Sequence, residues 1–146
     1  MARFSFGERM GAAATSTLPG MSLYAPSGNG FALRELWLFN TTTTACQVAL
    51  RRATTAGTQG TAITEMEWHE DGVAPTATGF QNHSVGPTLA TGNLMLGDVG
   101  AAIGAAVVWS FGDTGIVVAP GTGNGLCLTT PTGTGQVLDC VWIWDE

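Results

Sequence analysis

The chain has 146 residues, with 5 basic and 11 acidic side chains and a net charge of −6. It therefore lacks the broad positive field a general nucleic-acid binder needs. Charged residues are only 11 % of the chain, against about 25 % in an average domain, while apolar residues stand at 45 %. That balance excludes a disordered tail and a coiled coil. The length fits one domain spanning residues 1–146. Glycine and threonine, 21 of each, fill the place of the missing charges. Both weaken helices and serve turns and strands, so the first expectation is an all-β fold.

Read from the N-terminus, residues 3–6 and 20–24 are predicted short strands. Residues 31–39 (FALRELWLF) put Phe31, Leu33, Trp37 and Phe39 on one face and Arg34, Leu36 and Leu38 on the other. Apolar character on both faces of its later half predicts a central strand, covered twice. After a Thr-rich turn, residues 45–52 (ACQVALRR) alternate again, and the two segments read as a hairpin with a loop of about five residues. Residues 61–69 (TAITEMEWH) predict a third long strand, with Ala62, Thr64, Met66 and Trp68 opposing Ile63, Glu65, Glu67 and His69, and Asp71 and Gly72 ending it. Residues 73–91, with Pro75 and Pro87, predict a long connection carrying one or two edge strands, as Greek keys and jelly rolls require. The last third is denser. Strands are expected at 93–96, 105–111, 115–119, 125–130 and 136–144, separated by breakers at 112–113, 120–124 and 131–135. Residues 101–106 could instead form a helical turn. The sum is an antiparallel β-sandwich of jelly-roll or Greek-key type with about nine strands.

The first 16 residues are interrupted by Arg3, Glu8 and Arg9 and contain no secretory apolar core. The most apolar uncharged window, 99–112, is too short to span a bilayer, so no membrane partner is expected. Cys46, Cys127 and Cys140 form no C-x-x-C. A hairpin turning at Gly133 and Thr134 would set Cys127 opposite Cys140, allowing a disulfide; three reduced thiols packed as small apolar groups are the plainer expectation.

Candidate chemistry is sparse. Glu65, Glu67 and His69 would share one strand face, but alternate residues lie nearly 7 Å apart there, too far for three to hold one ion easily. His83 sits beside Ser84 in QNHS without the strained G-x-S-x-G turn of a hydrolase. The chain has no lysine, so the glycine tracts at 121–125 and 133–135 are not P-loops. No catalytic residue, metal or cofactor is expected.

Interface candidates are clearer. Trp142 and Trp144 share a face with Cys140, while Ile143 and Val141 face the other way, so the last strand needs two covers. One is the domain's own core and the other a second sheet element or a neighbouring subunit, tryptophan being a common interface anchor. Arg34, Arg51 and Arg52 are three of the five cations. If the early strands bring them together they could receive an acidic patch of a partner; the alternative is charge balance with Glu35.

The opening MAR, the segments ALRELWLF, VALRR and ATTAGTQGTAITE, and the ending VWIWDE resemble small β-sandwich proteins encoded among tailed-bacteriophage structural genes. Such proteins resemble capsid cement or decoration subunits. The resemblance implies a binding function without turnover, with the major capsid protein and copies of the chain itself as partners, often in trimers. It implies assembly in the host cytoplasm and a final place on the virion surface. The alternative of the same reading is a carbohydrate- or receptor-binding module of a tail fibre or spike.

Overall fold

A computed structural model describes residues 1–70 and 72–146; Asp71, expected to end the third long strand, lies outside the described residues. It contains twelve strands among them: β1 (Arg3–Arg9), β2 (Met21–Tyr24), β3 (Phe31–Asn40), β4 (Cys46–Ala53), β5 (Thr61–Ala62), β6 (Met66–Glu67), β7 (Thr78–Gln81), β8 (Met95–Val99), β9 (Ala106–Ser110), β10 (Ile116–Val118), β11 (Gly125–Thr129) and β12 (Leu138–Asp145). No described residue is helical; residues 101–104 form a bend and turn, and Ala106 already begins β9.

The strands form two antiparallel six-stranded sheets. One runs β10-β3-β12-β1-β6, with β9 also paired to β3, and the other runs β5-β7-β2-β11-β4-β8. Eight strands give the frame: β1, β12, β3 and β9 in the first sheet, and β2, β11, β4 and β8 in the second. Their order is that of a jelly roll, with the chain changing sheets at most connections. The three short strands β5 to β7 extend both sheets. β5 and β6 stand in place of the predicted third long strand, and β7 lies in the 73–91 connection, where one or two edge strands are expected.

Two predicted hairpins are corrected by this topology. β3 and β4 lie in opposite sheets, so the Thr-rich turn is an arch and not a hairpin. Buried Asn40 ties it: its Nδ2 donates to the carbonyls of Thr44 (2.8 Å) and Gly100 (2.7 Å), while its Oδ1 accepts from the Thr42 amide and hydroxyl. β11 and β12 are separated in the same way, which leaves Cys127 and Cys140 as free buried thiols in different sheets. The third long strand is also corrected. Residues 61–69 cross from the edge of the second sheet to the edge of the first, with only Thr61–Ala62 and Met66–Glu67 as strand. Neither face goes in as a whole, for Ile63 is buried while His69 on the same face is exposed, and Met66 and Trp68 on the other are 62 % and 50 % exposed.

Alternation decides which side of each strand meets the core. Phe4 and Phe6 of β1, Leu33, Leu36 and Leu38 of β3 and Trp142 and Trp144 of β12 face Met21, Leu23, Leu50, Leu126 and Leu128 of the second sheet. The aromatic side chains interlock. Phe6 stacks on Trp142 at 5.8 Å between centroids and tilts against Trp144 at the same separation, and Phe4 meets Trp144 at 6.0 Å. Gly79 on β7 makes room for this cluster, because a Cβ there would lie 2.5 Å from the Phe6 ring. Gly79→Ala is therefore expected to cost about 1–3 kcal/mol by overpacking, read as a lower urea midpoint at unchanged slope.

Candidate functional site

The outward side of the first sheet is the candidate contact surface. Register places Ser5, Gly7 and Arg9 of β1, Asp139, Val141 and Ile143 of β12, Glu35, Trp37 and Phe39 of β3, and Ala106 and Val108 of β9 on this side. No other element of the described chain is laid across its centre, so Trp37, Phe39 and Val141 stay half-buried and Val108 is 55 % exposed. An apolar strip thus runs across three strands. The Trp37 indole N–H donates to the Glu35 carboxylate at 2.7 Å, which fixes the ring against the sheet.

Ion pairs frame the strip. At one end Arg9 clasps Asp139 with two bonds of 2.6 and 2.9 Å. At the other, buried Asp145 accepts from Arg3 (2.7 and 3.2 Å) and from Arg34 (2.6 Å). Arg34 is the extra residue of a bulge: Glu35 pairs with Ile143 and Leu33 with Trp144, so Arg34 has no partner across β12 and turns to the carboxylate. Its remaining donors reach the carbonyls of Gly112 and Asp113. Burial opposes ionisation of Asp145, yet the hydrogen bonds and charges of Arg3 and Arg34 overcome it and hold the carboxyl below the usual range.

The surface continues over β10, where Val117 is 56 % exposed, into an open groove of about 750 Å³ walled by Phe31, Ala32, Val118 and Pro120 with Arg34 at one side. The edge strand there is blunted, since Arg52 donates to the Val117 carbonyl at 2.9 Å and occupies a group an added strand would use.

Electrostatics single the face out. Arg3, Arg9 and Arg34 balance Glu35, Asp139 and Asp145, so the face is neutral and the entire charge of −6 belongs to the rest of the molecule. Copies or partners meeting there meet little like-charge repulsion.

The sequence-predicted interface residues fare unequally. Trp142 and Trp144 have no exposed surface and belong to the core, which corrects their expected role as subunit contacts: the parity that sets them with Cys140 points that whole row between the sheets. Ile143 does lie on the outward face, but at 4 % exposure it forms its floor and not its crest. The three arginines are not gathered. Arg34 pairs with Asp145, not with Glu35; Arg51 lies on the opposite sheet, bonded to the carbonyls of Ala90 and Ser16; Arg52 caps β10. The residues that form the strip, Trp37, Phe39, Val108 and Val141, were missed. The signal for Trp37 and Phe39 is the two-sided apolar pattern of 31–39, which predicts two covers without saying what the second one is.

The remaining candidates are dispersed. Glu65 accepts from the Gly79 amide at 2.8 Å, and His69 is exposed. No group of three His, Cys, Asp or Glu side chains among the described residues is placed to hold a metal. His83 meets Ser22, not Ser84, with its Nε2 2.8 Å from the hydroxyl in a buried setting. No family model, curated protein or solved structure matches the chain.

Proposed function

We propose that this protein is a structural subunit of a tailed-phage particle that binds and stabilises the capsid shell without catalysing a reaction, acting as a trimer whose copies meet through the outward face of the first sheet. The carrying observation is that face: apolar, neutral and rimmed by ordered ion pairs in a chain otherwise net acidic. Such a surface suits self-association, because its charges sum to zero, Asp139 and Asp145 are already ion-paired and Glu35 accepts from the Trp37 indole. The jelly-roll frame supplies rigidity, and a rigid body that binds the assembled shell better than its separate subunits stabilises the shell by linkage.

The test is cosedimentation of the purified chain with expanded, empty shells, followed by thermal disruption of the decorated particles. The reading predicts saturable binding and a higher disruption temperature. Absence of binding, or binding without stabilisation, contradicts it.

One observation favours a second reading, a carbohydrate-binding module. Half-exposed Trp68 follows Glu65 and Glu67, which line a shallow hollow of about 290 Å³ with Met66, Glu70 and Pro75. The carboxylates of the hollow suit hydroxyl recognition, and Trp68, next in sequence but outside its lining, offers an exposed ring for stacking. Glycan-array binding lost in Trp68→Ala, with the shell assay negative, would select this reading.

A further inference from the structure

The outward side of the second sheet, unlike that of the first, is covered. Three segments, 11–20, 54–60 and 82–94, lie over β2, β11 and β4. Thr54 donates to the carbonyl of Thr88 (2.9 Å), Thr58 to Val85 (3.0 Å), Ala90 to Arg52 (2.8 Å), and Gly11 to the Gln81 side chain (2.8 Å). Leu89 and Ala56 close over Tyr24, Ala53 and Cys127. These segments hold no Asp, Glu, Lys or Arg; their one ionisable side chain is His83. It points inward, 92 % buried with Nε2 on the Ser22 hydroxyl and Nδ1 without a partner.

We propose that His83 is an acid-sensitive latch, and that its protonation releases the 82–94 connection from the second sheet while the jelly-roll core stays folded.

The geometry makes the neutral ring the stable one. With Nε2–H donating to Ser22, Nδ1 is a bare lone pair, which is tolerable without a partner. Protonation puts a donor on Nδ1 where no acceptor exists, and a buried unmet donor on a cation is costly. Nor is there a carboxylate to repay it. The groups facing this ring are Ser22 and Tyr24 on β2, Cys127 on β11 and Arg51 on β4, a row set by the register Ser22–Cys127–Arg51. Burial pushes the Tyr24 phenol and the Cys127 thiol up, so both stay uncharged, and Arg51 is a fixed cation. β7 contributes no ionisable side chain; Glu65 is held at its edge by the Gly79 amide, and Asp98, at the far edge on β8, is bonded to Gln47. Burial accordingly lowers the affinity of His83 for a proton in the closed form. The sign follows. The open form, with a solvated imidazole near its ordinary value of 6.5, binds more protons, so closure is undisturbed above that pH and weakens as pH falls below it.

Hydrogen exchange with mass spectrometry, corrected for the intrinsic rate at each pH, tests this on the full chain. Between pH 6.5 and 5 the peptides covering 82–94 and 54–60 should lose protection by up to about tenfold per pH unit, while those covering β12 change little. In His83→Gln, which carries no titrating charge, that dependence should vanish. Equal slopes in both proteins, or a flat wild-type profile, overturn the proposal. Should the variant not fold, the two imidazoles of the wild-type chain can be titrated by NMR, with His69→Gln assigning them. A His83 resonance that titrates at or above 6.5 overturns the latch, and one titrating below it together with the exchange loss supports it.

Discussion

Replacing Trp142 by alanine is expected to lower the unfolding free energy by about 3–5 kcal/mol, the range for truncating a large aromatic in a packed core. The reason lies in its neighbours. Trp142 stacks on Phe6, which also contacts Trp144, so its removal opens a cavity at the point where β1 and β12 meet the second sheet. Urea unfolding at neutral pH checks this, with the midpoint falling and the slope unchanged. Trp142→Phe sharpens the result. The indole N–H of Trp142 is buried without a partner, so phenylalanine removes an unmet donor, worth about 1–3 kcal/mol, while opening only a small void. Its loss should therefore be well under that of alanine. If alanine left the isolated chain as stable as before, the core described here would be wrong.

Asp145→Ala should be nearly as damaging, by about 2–4 kcal/mol, since removing one partner of a largely buried ion pair strands the other. Here the stranded group is Arg34, whose side chain is 14 % exposed and whose Nε would face no acceptor. Arg3, at 43 %, can turn to water and adds little. A pH signature separates this from simple loss of packing. The Asp145 carboxyl is held below its ordinary value of 3.8. The pair's contribution is therefore complete above that value and is lost as pH falls through the lower, folded one. Wild type should thus lose stability across that acid range. Asp145→Asn, destabilised at neutral pH, should lose less on acidification, so the two unfolding curves converge. Parallel curves would mean that the charge of Asp145 does not matter.

How much of this was legible in the sequence depends on the length of the signal. Ten residues of β3 and eight of β12 carry enough alternation to reveal a central, doubly apolar ribbon, and that reading led to the sandwich. What alternation cannot tell is which sheet the next strand joins. The turns after β3 and before β12 have hairpin composition, but one is an arch tied by Asn40 and both lead to the opposite sheet. Pairing depends on contacts distant in sequence, and neither turn encodes them. The same limit governed the candidate site. Parity correctly divided β12 into a Trp row and a Val141/Ile143 row, but it could not say which row faces inward. The size of tryptophan suggested an anchor for a partner, whereas the Phe4 and Phe6 rings of β1 show that the largest side chains close the core. The exposed strip is left to medium-sized residues, Val108 and Val141, beside half-covered Trp37 and Phe39.

The most direct measurement is the mass of the purified chain by size-exclusion chromatography with light scattering, for wild type and for the double variant Val108→Glu/Val141→Glu. Both substitutions lie on the outward face, away from the core, so circular dichroism should show little change in fold. The account predicts about 45 kDa for wild type, three copies of a 15.0 kDa chain, and about 15 kDa for the variant, because two buried carboxylates in an apolar contact would have no partner. A wild-type chain that runs as a monomer at every concentration, or a variant that assembles as wild type does, would contradict the assignment of this face.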